Sequence, residues 1–276
     1  MECLPEDELK KLQAVLLDIL KVIDEFCRAN DIAYFLDSGT ALGAVRHGGF
    51  IPWDDDVDLG MLREDYDRFI ELAAEGLPEG YSLHTYENTP GFAGMFAKVY
   101  RDGTVFETKE TRAAGCPQCV FVDIFPYDVL SSDAGERTRQ LRAANFWQKA
   151  SYLYHSPYVT LPVSGFVGAV VKTCCFAAHG LFRLVLSRKR IRAGFEKSRV
   201  FASDPSSDRT IMAYSACGVF GEELLSHLEP RAFEGCQFMA MVDVVEYLGI
   251  VYGQSWAELP PVEQRRTHKP LKLVLE

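Results

Sequence analysis

Asp54-Asp55-Asp56-Val57-Asp58-Leu59-Gly60-Met61 sets four carboxylates in five positions and then alternates acid with apolar residue. The alternation from Asp56 to Met61 has a period of two and reads as a strand, with Val57, Leu59 and Met61 entering a core. Side chains two apart on a strand share a face, so Asp56 and Asp58 are expected to point together. Two anions at that spacing repel unless a cation lies between them. Oxygen ligands of this hardness suit Mg²⁺ or Mn²⁺ and not zinc, and the bland alternative is a solvated acidic turn. An EF-hand loop opening at Asp54 would need glycine at its sixth place and glutamate at its twelfth, where Leu59 and Asp65 stand. An aspartyl-phosphate phosphatase would want Thr or Val after its Asp-x-Asp, and Leu59-Gly60 offers neither.

Working outward, Ile32 to Leu36 is a short apolar strand candidate that ends in Ser38-Gly39-Thr40, about 17 residues before the acidic strand. A short helix over Ala41–Arg46 follows, closed by His47-Gly48-Gly49. Backbone N–H groups and the Ser38 or Thr40 hydroxyl at that helix start are an anion site, complementary to acidic residues that hold phosphate through metal. Downstream, Glu64 to Ala74 has helical spacing, and Tyr81–Tyr86, Met95–Tyr100 and Val120–Phe125 are further strand candidates. Upstream, Pro5 and three acids open a helix whose Leu9, Leu12, Leu16, Ile19, Ile23 and Phe26 make one stripe as far as about Arg28. Strand and helix in alternation indicate an α/β class, and Ala134 to Tyr154 is expected to be helical.

The 276 residues carry 39 acidic and 29 basic side chains, a net charge of −10, which argues against a protein that coats nucleic acid. Eight cysteines are too dilute for a disulfide scaffold and the first residues lack a signal-peptide pattern, so a cytoplasmic compartment is expected. Residues 150–171 contain no Asp, Glu, Lys or Arg, yet Pro157, Pro162 and Gly165 interrupt them and Lys172, His179 and Arg183 stud the continuation. A spanning helix needs about 20 uninterrupted apolar residues. A buried helix and an in-plane helix on the cytoplasmic membrane face are the other readings, and the basic run from Arg183 to Arg199 favours the surface. Tyr247 to Tyr252 reads as a helix before a loop holding Gly253, Pro260 and Pro261.

The run from Tyr34 through Asp37-Ser38-Gly39-Thr40 and Arg46-His47-Gly48-Gly49 to Trp53-Asp54-Asp55-Asp56-Val57-Asp58 resembles the signature of the LicD/fukutin phosphotransferases. Phe121-Val122-Asp123-Ile124-Phe125-Pro126 resembles that family's next motif, and Tyr252-Gly253 through Leu259-Pro260-Pro261 to Arg265 and His268 its C-terminal one. The resemblance covers about residues 30–270. It implies a nucleotidyltransferase fold, a mixed sheet flanked by helices with a helical C-terminal part. Residues 1–276 would form one domain, with the nucleotidyltransferase core at 30–130 and an extension at 131–276 bearing the substrate motif. It also implies a CDP-alcohol donor, foremost CDP-choline, whose phospho-alcohol passes to a sugar hydroxyl of a cell-surface glycan or lipid-linked precursor with release of CMP. The alternatives are transfer of a nucleoside monophosphate with loss of pyrophosphate, and a non-catalytic nucleotide or glycan binder.

On that resemblance Asp56 and Asp58 would be the metal pair and Asp123 the third carboxylate and general base, with Ser38 and Gly39 against the donor phosphates. Arg46 and Lys98 would neutralise the diphosphate, although Arg46 also suits the C-terminal end of its helix. The chain departs from the family pattern at Gln254-Ser255-Trp256, where an acid and a tyrosine are more usual. Trp53, Tyr127 and Trp256 are candidates for an aromatic face toward a quaternary ammonium, with core packing as the alternative. Arg265 and His268, among Arg266 and Lys269, suit a phosphate. Cys116-Pro117-Gln118-Cys119 has zinc-knuckle spacing without a second pair, and Cys174-Cys175 is read as inert packing.

Overall fold

In the computed structural model, residues 4–158, 165–211, 218–262, 265, 267 and 270–276 are described. Their main sheet has the order β1 (Phe35–Leu36), β2 (Asp58–Leu62), β6 (Val120–Ser131), β4 (Ala97–Arg101), β3 (Tyr81–His84). β2 and β6 run parallel, whereas β1–β2, β6–β4 and β4–β3 are antiparallel, so the sheet is mixed as expected. β6 is the spine: eleven of its twelve residues are buried, the pattern of a strand covered on both faces. It continues past Pro126, where the sequence suggested a stop. β4 pairs with residues 120–124 and β7 (Pro205–Ile211) with 127–131, so Pro126 falls between the two partners, where a missing N–H is tolerated.

α1 (Glu6–Ala29) buries Leu9, Leu12, Leu16, Ile19, Leu20, Ile23 and Cys27, the face its spacing predicts, against β6 and β4. Acids fill its first turn and Arg28 its last, each matched to the helix dipole. α3 (Arg63–Gly76) follows β2 and packs on it through Tyr66, Phe69 and Ala73. α2 (Ser38–His47) begins three residues before the expected Ala41, because Asp37 caps it, and it ends at Gly48 in the left-handed conformation with φ 72°. The acidic strand begins at Asp58, which leaves Asp54, Asp55 and Asp56 in the loop before it.

The part after residue 131 is helical in α5 (Ala134–His155), α6 (Gly165–Val185), α7 (Arg188–Ser198) and α9 (Val244–Tyr252). It also returns strands: β7 extends the main sheet and pairs with β8 (Phe220–Gly221), and β9 (Leu228–Phe233) and β10 (Cys236–Met241) form a hairpin. The hairpin tip reaches back to the end of α2, where Glu234 N–H donates to the Gly48 carbonyl at 3.0 Å and its carboxylate accepts from Phe50 N–H at 3.0 Å. A Cβ on Gly49 would collide with that carboxylate. β5 (Val105–Glu107) pairs with β11 (Lys272–Val274), so the end of the chain closes on the middle. α6 corrects the buried-helix alternative: most of its described residues from Gly168 on are exposed, Cys174 among them, which also removes the inert-packing reading of that thiol.

Candidate functional site

The register of three strands builds the centre of the site. Asp58 on β2 is paired with Asp123 on β6, and Asp123 with Lys98 on β4, so the three side chains stand in one row across the sheet. Asp123 N–H donates to the Val57 carbonyl at 2.9 Å, and Lys98 Nζ lies 2.7 Å from Asp123 Oδ1. Lys98 Nζ also sits 3.2 Å above the Phe121 ring. Asp56 joins this row from the loop and not from strand alternation, since it precedes β2. Carboxylate oxygens of Asp54, Asp55 and Asp56 lie within 4.8 Å of one another, so the group of three that the described residues bring together holds Asp56 but not Asp58 or Asp123 of the expected metal set. Burial, and then Asp56 and Asp123, push the Asp58 carboxyl well above the usual carboxylate range.

The start of α2 is fixed from beneath. Buried Asp37 accepts from Ser38 N–H at 2.7 Å, from the Tyr127 hydroxyl at 2.9 Å and from the Tyr247 hydroxyl on α9. Ser38 N–H is shared with the Tyr247 oxygen at 3.1 Å, and these bonds hold Ser38 at φ 45°, in the left-handed region that a non-glycine residue rarely occupies. Thr40 is buried and its hydroxyl oxygen accepts from Asp58 N–H at 2.9 Å, so its role is to position the acidic strand. Gly39 faces the acidic loop: a Cβ there would approach Asp54 Oδ2 to 3.0 Å. Gly39, next to Ser38, therefore lies beside the acidic loop.

The donor set fits a hard divalent cation. All candidate ligands are carboxylate oxygens, three of them gather on Asp54, Asp55 and Asp56 in the loop before β2, and the Asp58 carboxyl is raised by burial and then by the repulsion of Asp56 and Asp123, which a cation would relieve.

Asp56, Lys98 and Asp123 open onto a cavity of about 290 Å³ whose walls include Phe96, Phe106, Phe121, Tyr152 and Tyr158, with Glu110 among its lining. These rings come from the residue before β4, from β5 and β6, and from the last turn of α5 and the loop after it, so the topology assembles an aromatic chamber that no single sequence window contains. The expected face of Trp53, Tyr127 and Trp256 loses Tyr127. Tyr127 is fully buried and committed to Asp37, and the Trp53 ring is covered by the Arg265 guanidinium at 4.4 Å.

Arg46, His47, Trp53 and Arg265 form a second group, beyond α2. Arg46 Nη1 donates to the carbonyls of Trp256 and Glu258 at 3.1 Å each, so Arg46 clasps the loop after α9 instead of facing solvent at a helix end. Arg265 Nε donates to the Pro260 carbonyl at 3.2 Å in the same loop. Burial and the adjacent Arg46 hold the His47 imidazole below its ordinary value, and its ring meets Trp53 edge-on. His268 lies outside the described residues. Cys116 is in the cavity wall with its thiol pushed up by burial, and no cluster with ligands enough for zinc includes it or Cys119 among the described residues. Asp37, Tyr247 and the cavity rings are the contributors that sequence reasoning missed. The one available signal was Asp37 directly before Ser38-Gly39-Thr40, a favoured N-cap type.

Comparison with known proteins places the chain among phosphotransferases of the nucleotidyltransferase fold. Residues 31–168, half of the chain, match the model of the LicD/FKTN/FKRP nucleotidyltransferase domain, and the chain belongs to that family. It is 29% identical over 285 aligned residues to the lipopolysaccharide cholinephosphotransferase LicD of Haemophilus influenzae, covering 94% of this chain and 95% of that one. A shorter stretch of 37 residues is 57% identical to human ribitol 5-phosphate transferase FKRP, covering 13% of this chain and 8% of that one. Mouse ribitol-5-phosphate transferase FKTN is 34% identical over 74 residues, 26% of this chain and 16% of its own length.

Proposed function

We propose that the enzyme transfers phosphocholine from CDP-choline to a sugar hydroxyl of a cell-surface glycan or its lipid-linked precursor, releasing CMP in the cytoplasm. The observation that carries this reading is that Asp56, Lys98 and Asp123 line an aromatic-walled cavity. Five rings and the Glu110 carboxylate favour a trimethylammonium group, in a lining where Thr108, Thr111, Gln118 and Ser156 also offer hydrogen bonds to hydroxyls. The similarity over nearly the whole length to a cholinephosphotransferase agrees with that preference.

In this reading Ser38 and Gly39 at the start of α2 receive the donor diphosphate, and Arg46 keeps the loop after α9 folded over the same side. Asp56, Asp58 and Asp123 would hold Mg²⁺ or Mn²⁺, which supplies charge neutralisation of the diphosphate and acidification of the acceptor hydroxyl. Asp123 takes the proton of that hydroxyl as its oxygen attacks the β-phosphorus. The bond from the β-phosphorus to the bridging oxygen breaks, and CMP leaves with the electron pair. Lys98 holds the Asp123 carboxylate in place and adds positive charge where the phosphoryl oxygens gather. Incubation with CDP-choline, CDP-ribitol and CDP-glycerol, following CMP release with and without glycan acceptors, tests the donor. CDP-choline is expected to be turned over fastest, and a preference for a polyol donor would contradict the role given to the aromatic walls.

A further inference from the structure

Between Arg137 and Phe195 the chain has ten Lys and Arg and no Asp or Glu, although its net charge is −10. This segment takes in most of α5, all of α6 and most of α7. Such an imbalance concentrates positive potential on one part of an acidic molecule.

α6 packs on α5 along one side only. Val171, Cys175, Ala178 and Phe182 are half-buried on that side, and His179 Nδ1 lies 2.7 Å from the Leu153 carbonyl. On the neighbouring side Val170, Cys174, Ala177, Leu181 and Leu184 recur at three- and four-residue steps and are all exposed, Leu181 to 56% and Leu184 to 85%. A stripe of that kind in water calls for cover. Lys172 and Arg183 are exposed on the helix face turned away from the stripe. α6 passes through Leu186 and Ser187 straight into α7, which exposes Lys189, Arg190 and Lys197, and Arg190 Nη1 reaches back to the Val185 carbonyl at 3.4 Å.

We infer that α6 is a docking element for an anionic lipid bilayer, lying in the plane of its surface with the Val170–Leu184 stripe toward the acyl boundary and the α7 cations among the head groups. Charge complementarity decides for this occupant. A second copy of the chain on the same stripe would bring two cationic clusters face to face. Among the described residues α6 is the helix long and apolar enough to cross a membrane, but crossing would carry α5, with exposed Arg139, Arg142 and Lys149, into hydrocarbon alongside it. Tyr158, whose ring meets Phe176 of α6 edge-on, also lines the cavity that holds Asp56 and Asp123. The docked helix therefore adjoins the wall of the reaction chamber, where an acceptor carried on a lipid would arrive.

The docking does not depend on the phosphocholine reading, and its test needs no substrate. Full-length protein is mixed with vesicles of phosphatidylcholine alone or with added phosphatidylglycerol, at low and high salt, and floated. It is expected to float with the anionic vesicles at low salt and to be released at high salt. Leu181→Asp/Leu184→Asp and Lys189→Glu/Arg190→Glu should each lower the bound fraction roughly tenfold with an unchanged melting curve. Failure to float with anionic vesicles at low salt overturns the inference. Equal, salt-resistant flotation with both vesicle types overturns it in favour of a spanning helix, and a dimer in sedimentation that Leu181→Asp/Leu184→Asp splits overturns it in favour of self-association.

Discussion

Lys98 Nζ and Asp123 Oδ1 lie 2.7 Å apart on residues that are register partners of β4 and β6. Both side chains are about nine-tenths buried, so removing one strands the other's charge. Lys98→Ala is expected to lower stability by about 2–4 kcal/mol and turnover by at least about a hundredfold. Lys98→Ala/Asp123→Ala should recover most of the stability and none of the turnover. Urea unfolding beside CMP release measures both, and a double variant as unstable as the single one would show that the pair is not the reason.

The proposed mechanism has Asp56 and Asp58 serve chemistry at the expense of the fold. Asp58→Asn should leave a protein at least as stable as the wild type, because a neutral amide relieves the repulsion from Asp56 and Asp123. Its turnover, and that of Asp56→Asn, should fall at least about a hundredfold, or roughly 3 kcal/mol of transition-state stabilisation. Melting curves and initial rates on the same preparations check the two opposite signs.

The Asp37 network predicts a different outcome. Tyr247→Phe removes one donor from a buried carboxyl and should cost about 1–2 kcal/mol, while Asp37→Ala removes the shared acceptor of the Tyr127 and Tyr247 hydroxyls and of Ser38 N–H and should cost about 2–4 kcal/mol. Because the same bonds hold Ser38 at positive φ, Tyr247→Phe should also raise the KM for the nucleotide donor. Urea midpoints and donor saturation curves test the link.

Divalent metal should stabilise the fold, more so as pH rises. The folded-state Asp58 carboxyl is raised, so its contribution is fully present below its unfolded pKa and is lost as pH climbs through the folded value. A cation bound only by the native state supplies RT ln(1 + [L]/Kd), about 2.7 kcal/mol at a hundred times Kd, or a few degrees in Tm. Protons compete for the same oxygens, so the shift between EDTA and Mg²⁺ should shrink toward acid pH and disappear in Asp56→Asn/Asp58→Asn. Superimposable wild-type curves at neutral pH with both Mg²⁺ and Mn²⁺ would mean that the cluster is a solvated acidic turn.

Local patterns carried much of the fold. The α1 stripe, the apolar alternation through Val57, Leu59 and Met61, and the Val120–Phe125 run each place residues that are buried where periodicity puts them. The acidic loop was visible in the same way, but its geometry was not: Asp56 reaches the Asp123–Lys98 row through the turn before β2, and no spacing rule describes a turn. The aromatic chamber escaped because its rings are spread from Phe96 to Tyr158 over several elements, and only sheet order and the end of α5 bring them together. Tyr127 misled for a related reason. Its ring type fitted a ligand face, whereas its hydroxyl had a buried partner ninety residues upstream in Asp37.

The most direct test of the account is the identity of the leaving group and its dependence on Asp58. Wild-type protein and Asp58→Asn are incubated with Mg²⁺, a glycan acceptor and either CDP-choline or CTP, and the products are separated by phosphorus NMR. The account predicts CMP and a phosphocholine-bearing acceptor from CDP-choline, no pyrophosphate from CTP, and loss of the reaction in Asp58→Asn. Pyrophosphate release from CTP with nucleotide transfer to the acceptor, or wild-type rates in Asp58→Asn, would contradict it.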